Sequence, residues 1–384
     1  MKYVVCVPDG CSDEPTEELG GKTPLEVADM PVLAALAARS TVGRAAVIPE
    51  GFPPGSDVGN MSILGYDPAI YHTGRAPIEA AALGLKLPAD RLAYRTNLVT
   101  VSSDGTMVDF AGGHPTNELA SEIIAAIDAE LGTGGDLGLE FHPGVQYRHI
   151  MVAPADWEVA ECVPPHDITD RPAVAPTGPA AAKLIEVMER SKEIVARFDT
   201  AATQIWLWGQ GFQPQMTPFG ELYGRRAGMV TAVDLVRGLG VLTDMEIAEV
   251  EGATGWFDTN YEAKRDAAIE GLRGGADLFV IHVEATDEAG HAGNVQEKIR
   301  ALENWDSRIL ADLVPALDQM GPWRLLMLPD HPTPWKLKTH TMAPVPYLLV
   351  DSELDGPGGQ YSEAGVADEP IVAAHELMGT LLSR

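Results

Sequence analysis

Continuous apolar runs constrain this chain more than any other sequence feature. Four of them, at residues 3–7, 204–208, 278–283 and 324–328, are separated by glycine and proline turns and by alanine-rich helical patterns. A run without polar interruption is typical of a strand covered on both faces. Alternation of strands with helices indicates α/β units. We therefore predict an α/β fold with a mostly parallel sheet sandwiched by helices.

Three of these runs are followed by side chains that can bind metals. Residues 3–7 lead to Asp9, residues 278–283 precede Asp287, and residues 324–328 precede Asp330 and His331. In open α/β sheets, ligands bind outside the carboxyl ends of the strands. We expect these side chains to meet at one edge of the sheet.

The spacing of the same residues is typical of metal ligands. Asp287 and His291 stand four residues apart, so that a helical turn places them on one face. His340 follows shortly after the Asp330-His331 pair. Mixed aspartate and histidine ligation suits divalent manganese or zinc, and sites richer in aspartate accept magnesium.

Two further histidines are interpreted as structural. His149 and His282 each lie within an apolar strand pattern. A histidine in that setting is more often a core or sheet-face residue than a ligand.

Ser56 opens a predicted helix that extends to about residue 64, directly after a proline-rich loop. A serine at this position can cap the helix. It can also be a nucleophile, because the amide groups at a helix start favour a neighbouring anion. A serine hydroxyl needs a base or a metal to activate it. No histidine lies nearby in the sequence, so we predict metal activation.

The middle of the chain has a different pattern. It contains a predicted hairpin, helix, strand and second helix, at residues 95–101 with 106–110, 117–131, 146–152 and 180–198. We predict an inserted α+β domain over residues 91–199, which supplies a lid. Residues 1–90 and 200–384 would then form one discontinuous metal-binding domain.

Composition excludes several classes of protein. The net charge of −29 argues against nucleic-acid binding, which requires a basic surface. No apolar stretch reaches the roughly 18 residues of a membrane span, and the short apolar start lacks the features of a signal peptide. Three scattered cysteines form neither a disulfide framework nor a zinc motif. We therefore expect a cytoplasmic protein with reduced thiols.

The sequence resembles the alkaline phosphatase superfamily. Its two-metal set is matched by Asp9, the segment 54–57, Asp287 with His291, Asp330-His331 and His340. Within that superfamily, the chain is similar to cofactor-independent phosphoglycerate mutases of the archaeal type. The segments that carry this similarity are Gly-Ser-Asp-Val-Gly-Asn-Met-Ser-Ile-Leu-Gly-Tyr-Asp-Pro at 55–68, Thr-Gly-Arg at 73–75, and residues 252–255, 258–260 and 287–291.

The resemblance implies an alkaline-phosphatase-like fold with a smaller inserted cap domain and two divalent ions (Mn, Mg, Zn or Co). One ion would be held by Asp287, His291 and His340, and the other by Asp9, Ser56, Asp330 and His331. It further implies interconversion of 3-phosphoglycerate and 2-phosphoglycerate through a phosphoserine, without 2,3-bisphosphoglycerate.

Four residues are predicted to bind the small phosphorylated acid. His114 resembles the family's histidine near the transferred group. Arg148 carries a planar fork that suits a carboxylate or phosphate, and a salt bridge at a sheet edge is the alternative. Arg75 and Lys264 are equivalent candidates.

Other activities on the same scaffold stay open. Segments 206–211 and 282–285 are similar to a bacterial subgroup with a proposed homoserine kinase role. Residues 19–23 superficially resemble a phosphate-binding loop, but Thr16 stands where its first glycine is required. A lid that admits water would make the protein a metal-dependent phosphatase. A non-enzymatic metal-binding protein is the remaining alternative.

Overall fold

Strands and helices alternate along the chain, which a computed structural model describes over residues 1–158 and 160–383. The strands are β1 (Lys2–Pro8), β2 (Thr41–Ala46), β3 (Arg91–Val101), β4 (Met107–Asp109), β5 (Glu140–His142), β6 (Arg148–Pro154), β7 (Gln204–Gly211), β8 (Ala227–Val230), β9 (Glu246–Ile247), β10 (Leu278–Val283), β11 (Trp323–Met327), β12 (Val345–Asp351) and β13 (Ile371–Ala373). The helices are α1 (Pro24–Val27), α2 (Pro31–Ala37), α3 (Ser56–Ile63), α4 (Pro68–Tyr71), α5 (Arg75–Ala82), α6 (Asn117–Leu131), α7 (Ala181–Val195), α8 (Phe219–Tyr223), α9 (Asp234–Leu242), α10 (Tyr261–Arg273), α11 (Ala285–His291), α12 (Val295–Asn304), α13 (Ala311–Asp318) and α14 (Ala374–Leu382). A π-helical segment, Trp305–Leu310, joins α12 to α13.

The chain divides into two units. The first comprises residues 1–72 and 215–384, and the second comprises residues 73–214. The second unit is wider than the predicted insertion of residues 91–199. Helix α5 packs on β3 and β7, and β7 pairs with β3, so both elements belong to this unit.

The first unit contains a mixed sheet in the order β13-β2-β12-β11-β1-β10-β8-β9. The central strand β1 is parallel to both of its neighbours, β10 and β11. Antiparallel pairing is confined to β12, which contacts β11 and β2. The predicted mostly parallel sheet is therefore confirmed, and the carboxyl ends of β1, β10 and β11 lie side by side.

Helices cover both faces of this sheet. Val4 and Cys6 of β1 belong to a core formed with α2, α10, α12 and α13. Val5 and Val7, which point to the opposite face, are equally buried. Helix α3, which begins at Ser56, packs against α9 and α14. Double coverage explains why the strands have no polar alternation.

The second unit contains an antiparallel sheet in the order β4-β3-β6-β5, in which β7 also pairs with β3. Helix α5 packs Ala76 and Ala80 against Ala93 of β3 and Ile150 of β6, and α6 and α7 pack into a separate apolar core. The expectation that β7 lies in the metal-binding domain is wrong. Because its sheet is also covered on both faces, its apolar run has the same pattern as a parallel strand.

Among the described residues, no helix has the length and apolarity required to cross a membrane.

Candidate functional site

The loops that follow β1, β10 and β11 bring acidic and histidine side chains together in the first unit. Asp9 directly follows β1, Asp287 lies on α11 after β10, and Asp330 and His331 lie three and four residues beyond β11. The exposed fraction of Asp9 is 3%, and Asp330 and His331 are fully buried. The predicted meeting of strand ends is therefore present in the fold.

One group of ligand atoms consists of Asp287, His291 and His340. The two Nε2 atoms of the histidines are 2.9 Å apart, and they lie 3.3 and 3.4 Å from the two carboxylate oxygens of Asp287. Burial alone would lower the pKa of His291, but the Asp287 carboxylate raises it to about 9. The same contacts with His291 and His340 hold the pKa of the buried Asp287 well below its usual range.

The other ring nitrogens of these histidines determine which atoms face Asp287. Nδ1 of His291 lies 3.1 Å from the carbonyl oxygen of Lys338, and Nδ1 of His340 lies 3.3 Å from that of Pro54. A carbonyl only accepts, so each Nδ1 carries a proton, and Nε2 is the nitrogen that can bind a cation, which would displace any proton there. This orientation is typical of metal-binding histidines, and the three side chains fit a divalent cation.

A second group surrounds His331. Its Nε2 lies 3.1 Å from Oγ of Ser56, 3.4 Å from Asp330 Oδ2 and 3.7 Å from Asp9 Oδ1. On the other side of the ring, Nδ1 lies 3.2 Å from Oγ1 of Thr333, whose hydroxyl proton is donated to Asp287. That hydroxyl therefore accepts from Nδ1, and Nε2 presents its lone pair to Ser56.

The electrostatics of this group favour a bound cation. Burial, followed by the neighbouring Asp330 and Asp287 carboxylates, raises the pKa of Asp9 well above its usual range. Oδ1 of Asp9 is buried and has no hydrogen-bond partner among the described residues. Burial also lowers the pKa of His331 to about 4, so its ring is neutral at pH 7. Crowded carboxylates beside a neutral imidazole are stabilised when a cation joins them.

Ser56 is the first residue of α3, and Gly55 is the N-cap. The interpretation of Ser56 as a capping side chain is therefore not supported, because its hydroxyl faces His331 instead. Asn60, one turn further along, donates its amide to the carbonyl of Ser56 and to Asp330 Oδ2. Sequence reasoning missed this role of Asn60, which only its position one turn after Ser56 could have suggested.

Lys264 does not lie where a substrate-binding residue would. Its side chain is fully buried, and Nζ donates to Glu284 Oε2 at 2.8 Å and to the carbonyl of His282 at 3.0 Å. Burial alone would raise the pKa of Glu284, but Lys264 and His282 hold it well below its usual range. The prediction that Lys264 contacts substrate is therefore wrong. The residue pattern around Lys264 could not show that its side chain pairs with Glu284, 20 residues further along the chain.

A second buried lysine joins two of the site loops. Nζ of Lys298 donates to Asp13 Oδ2, to the carbonyl of Ser12 and to the carbonyl of Thr333, at 2.7, 3.3 and 2.8 Å. Ser12 follows Asp9, and Thr333 follows His331. Lys298 thus fixes the two loops relative to each other from α12.

The remaining predicted substrate residues lie in the second unit. Arg148 is exposed above the ring of Tyr147, with Cζ 4.9 Å from the ring centroid, and the ring of His114 meets the same tyrosine edge-on. The alternative for Arg148, a salt bridge at the sheet edge, is not seen among the described residues, where its guanidinium lies over the Tyr147 ring. Nε of Arg75 donates to Glu79 at 2.9 Å.

Arg75, Arg148 and Arg95 form the basic region of the second unit. Sequence reasoning missed Arg95. It is buried against Glu79, and its guanidinium lies 5.1 Å from the ring of Trp208, while that of Arg75 lies 5.6 Å away. Burial, with help from the nearby Arg75 and Arg148, lowers the pKa of Arg95 to about 10. Arg75 and Arg95 therefore share the carboxylate of Glu79, and Arg148 adds to the positive charge near Arg95.

Comparison with solved structures first defines the class of fold. The chain is similar to a protein from Pyrococcus horikoshii, with 26% identity, 99% and 96% of the two chains covered and a TM-score of 0.80. It also shares its fold with a cofactor-independent phosphoglycerate mutase from Thermoplasma acidophilum, with 23% identity, 100% and 99% covered and a TM-score of 0.64. The chain thus has the α/β fold of these two proteins.

The sequence comparisons show the family. Residues 37–199 match the family model of 2,3-bisphosphoglycerate-independent phosphoglycerate mutase. The protein of that name from Methanosarcina acetivorans is 42% identical over 400 residues, which cover 100% of both chains. The chain belongs to the 2,3-bisphosphoglycerate-independent phosphoglycerate mutase family, and the resemblance found in the sequence is confirmed.

Proposed function

We propose that this chain is a phosphoglycerate mutase that interconverts 3-phosphoglycerate and 2-phosphoglycerate through a phosphoserine at Ser56. The observation that carries the proposal is the position of Ser56 Oγ, 3.1 Å from Nε2 of His331, beside a buried group of aspartates. Family membership supports the same reaction.

Two divalent cations complete the proposed site. Asp287, His291 and His340 would hold one, and Asp9, Ser56, Asp330 and His331 would hold the other. Bound cations supply positive charge that lowers the pKa of a serine hydroxyl and neutralises the oxygens of a phosphoryl group. Three imidazoles among the ligands favour manganese, zinc or cobalt over magnesium.

The protein's own residues define the reaction path. Ser56 Oγ forms a bond to phosphorus while the bond from phosphorus to the substrate hydroxyl oxygen breaks. Glycerate then takes the phosphoryl group from Ser56 on its other hydroxyl. Ser56 Oγ and Nε2 of neutral His331 lie side by side, where both would bind the cation, and Asn60 fixes the start of α3 against Asp330. Water must be kept from the phosphoserine, or it would be hydrolysed.

The basic region of the second unit is proposed to hold the anionic groups of the substrate. Arg148 and Arg75 offer planar donors that match carboxylates and phosphates, and His114 lies beside the same Tyr147 as Arg148. A net charge of −29 repels an anionic substrate, and the positive charge of these arginines would offset that repulsion locally.

The test is product analysis of manganese-loaded protein given 3-phosphoglycerate alone. We expect 2-phosphoglycerate to appear, and we expect Ser56→Ala to abolish its formation. Ser62→Ala is the matched control, since Ser62 lies on the same helix, fully buried, with an Oγ that makes no hydrogen bond among the described residues.

Different products separate the alternatives. Release of inorganic phosphate would identify a phosphatase. If neither product forms, the mutase proposal fails for this substrate, and phosphorylation of homoserine by a nucleotide would support the kinase alternative.

A further inference from the structure

His282 is buried at the carboxyl end of β10, beside the strand that leads to Asp9. It is fully buried, and it pairs in register with Val7 of β1. The sequence predicts a structural role for it, and no residue of the metal set implied by the resemblance corresponds to it. Its polar surroundings differ from those of a core histidine.

One side of the imidazole is fixed by an acceptor. Nδ1 lies 2.9 Å from Oε1 of Glu284, which also accepts the backbone N–H of Ala232 at 3.1 Å. The other oxygen of Glu284 forms a buried ion pair with Lys264 at 2.8 Å. A carboxylate held in this way is an acceptor, so Nδ1 carries the proton.

The other side of the imidazole has no such partner. Nε2 lies 3.3 Å from Oδ2 of Asp9 but makes no hydrogen bond to any residue that the structure describes. In a neutral ring this nitrogen presents a lone pair to a carboxylate oxygen, which is repulsive unless a cation lies between them. His282, Asp9 and Asp330 each offer a ligand atom, and these atoms lie within 4.8 Å of one another.

A carboxylate that fixes one ring nitrogen while the other faces acidic ligands is the arrangement found around metal-binding histidines. We propose that His282 is a metal ligand whose Nε2 binds a divalent cation jointly with Asp9 and Asp330. Glu284 and Lys264 hold the ring in this orientation and act as positioning residues. The inference rests on the proposed function in one respect, namely that Asp9 and Asp330 bind a cation.

His149 provides a matched control. It is equally buried in a strand, and its Nε2 also lacks a hydrogen bond among the described residues. Its Nδ1, however, accepts the N–H of Gly144 at 3.1 Å, so in the neutral ring Nε2 carries the proton. The charged group beside His149 is the cation Arg95. His149 therefore has the burial of His282 without the features of a ligand.

The experiment measures manganese binding to the full chain after chelator treatment, by equilibrium dialysis with electron paramagnetic resonance of free Mn²⁺. We compare the wild type with His282→Gln, His149→Gln and Asp9→Asn. Mutation of a residue that hydrogen-bonds to a metal ligand typically lowers the affinity for the metal about 10- to 100-fold. We expect His282→Gln to weaken one class of site by at least that factor, the same class that Asp9→Asn removes. His149→Gln should bind as the wild type does.

A direct measurement covers the case in which His282→Gln fails to fold. In wild-type protein labelled with ¹⁵N-histidine, Zn²⁺ should shift the Nε2 signal of His282 from that of an unprotonated nitrogen to that of a metal-bound one. Glu284→Gln, which perturbs the same ring, assigns the signal. If His282 instead donates a proton to Asp9, its Nε2 signal is that of a protonated nitrogen and does not become metal-bound.

The two proposals fail in different ways. Wild-type manganese binding in His282→Gln, or an Nε2 signal that Zn²⁺ leaves unchanged in a wild type that binds Zn²⁺, overturns the role of His282 alone. Absence of cation binding by the wild type overturns the metal centre as well.

Discussion

Ser56 Oγ lies 3.1 Å from Nε2 of His331, although 275 residues separate the two in the sequence. The approach depends on the close packing of α3 against the loop after β11. At Gly59, one turn beyond Ser56, an added Cβ would lie 2.0 Å from the carbonyl oxygen of Asp330. The absence of a side chain at Gly59 therefore permits the contact between Ser56 and His331.

Replacement of Gly59 should separate these groups. In Gly59→Ala, the clash with backbone of Asp330 displaces α3, so we expect mutase activity to fall at least 100-fold, in line with the cost of misplacing reactive groups by about 1 Å. Gly379→Ala is the control, because a Cβ there has no neighbour within 4 Å and the residue lies inside α14. That variant should gain about 0.5–1 kcal/mol of stability. Equal activity in both variants would contradict the packing argument.

Removal of the Lys264 ammonium should destabilise the first unit. Lys264→Met leaves the buried carboxylate of Glu284 without its ion-pair partner, which costs about 3–5 kcal/mol when one member of a buried pair is lost. The double variant Lys264→Met/Glu284→Gln should recover part of that loss. Urea denaturation checks both. Lys192→Met, which removes an exposed pair with Glu189, should cost under about 1 kcal/mol, and an equal cost at both lysines would refute the prediction.

His149 should make stability depend on pH. Burial, with the nearby Arg95, lowers its pKa to about 3. Between about pH 6.5, the ordinary pKa of histidine, and about pH 3, the unfolded chain therefore binds a proton at this residue that the folded chain does not. Stability is therefore retained above that window and is lost as pH falls through it, by up to about 1.4 kcal/mol per pH unit. Urea denaturation from pH 7.5 to 4.5 should show a shallower loss for His149→Gln than for the wild type. Parallel curves would rule out this assignment.

Arg148 should matter for substrate binding. Loss of a charged hydrogen bond typically costs about 1.5–3 kcal/mol, so we expect Arg148→Ala to lower kcat/KM for 3-phosphoglycerate by roughly 10 to 100-fold, mainly through KM. Arg190→Ala removes an exposed arginine that pairs with Glu186 on α7, and its kinetics should match the wild type. Unchanged kinetics in Arg148→Ala would remove this residue from the proposed substrate site.

Patterns along the sequence predicted the sheet, the meeting of Asp9, Asp287 and the Asp330-His331 pair at one edge, and the helix that begins at Ser56, because each depends on local spacing and on parallel strands ending at one edge. The same patterns misplaced β7, since a strand covered on both faces has no polar alternation to show which sheet it joins. They also placed Lys264 at the substrate, because an isolated lysine on a helix gives no sign of a buried partner.

The sequence by itself determined the α/β class, the family and the set of side chains that meet at the ends of β1, β10 and β11. Only the tertiary structure decided which atoms of those side chains face one another. His282 and Glu284 stand two residues apart in the sequence, but their hydrogen bond depends on Thr231, directly after β8, and on Lys264 of α10, which both contact Glu284. The reason is physical: the orientation of a buried imidazole is set by partners on other elements, and their approach depends on packing across the whole sheet.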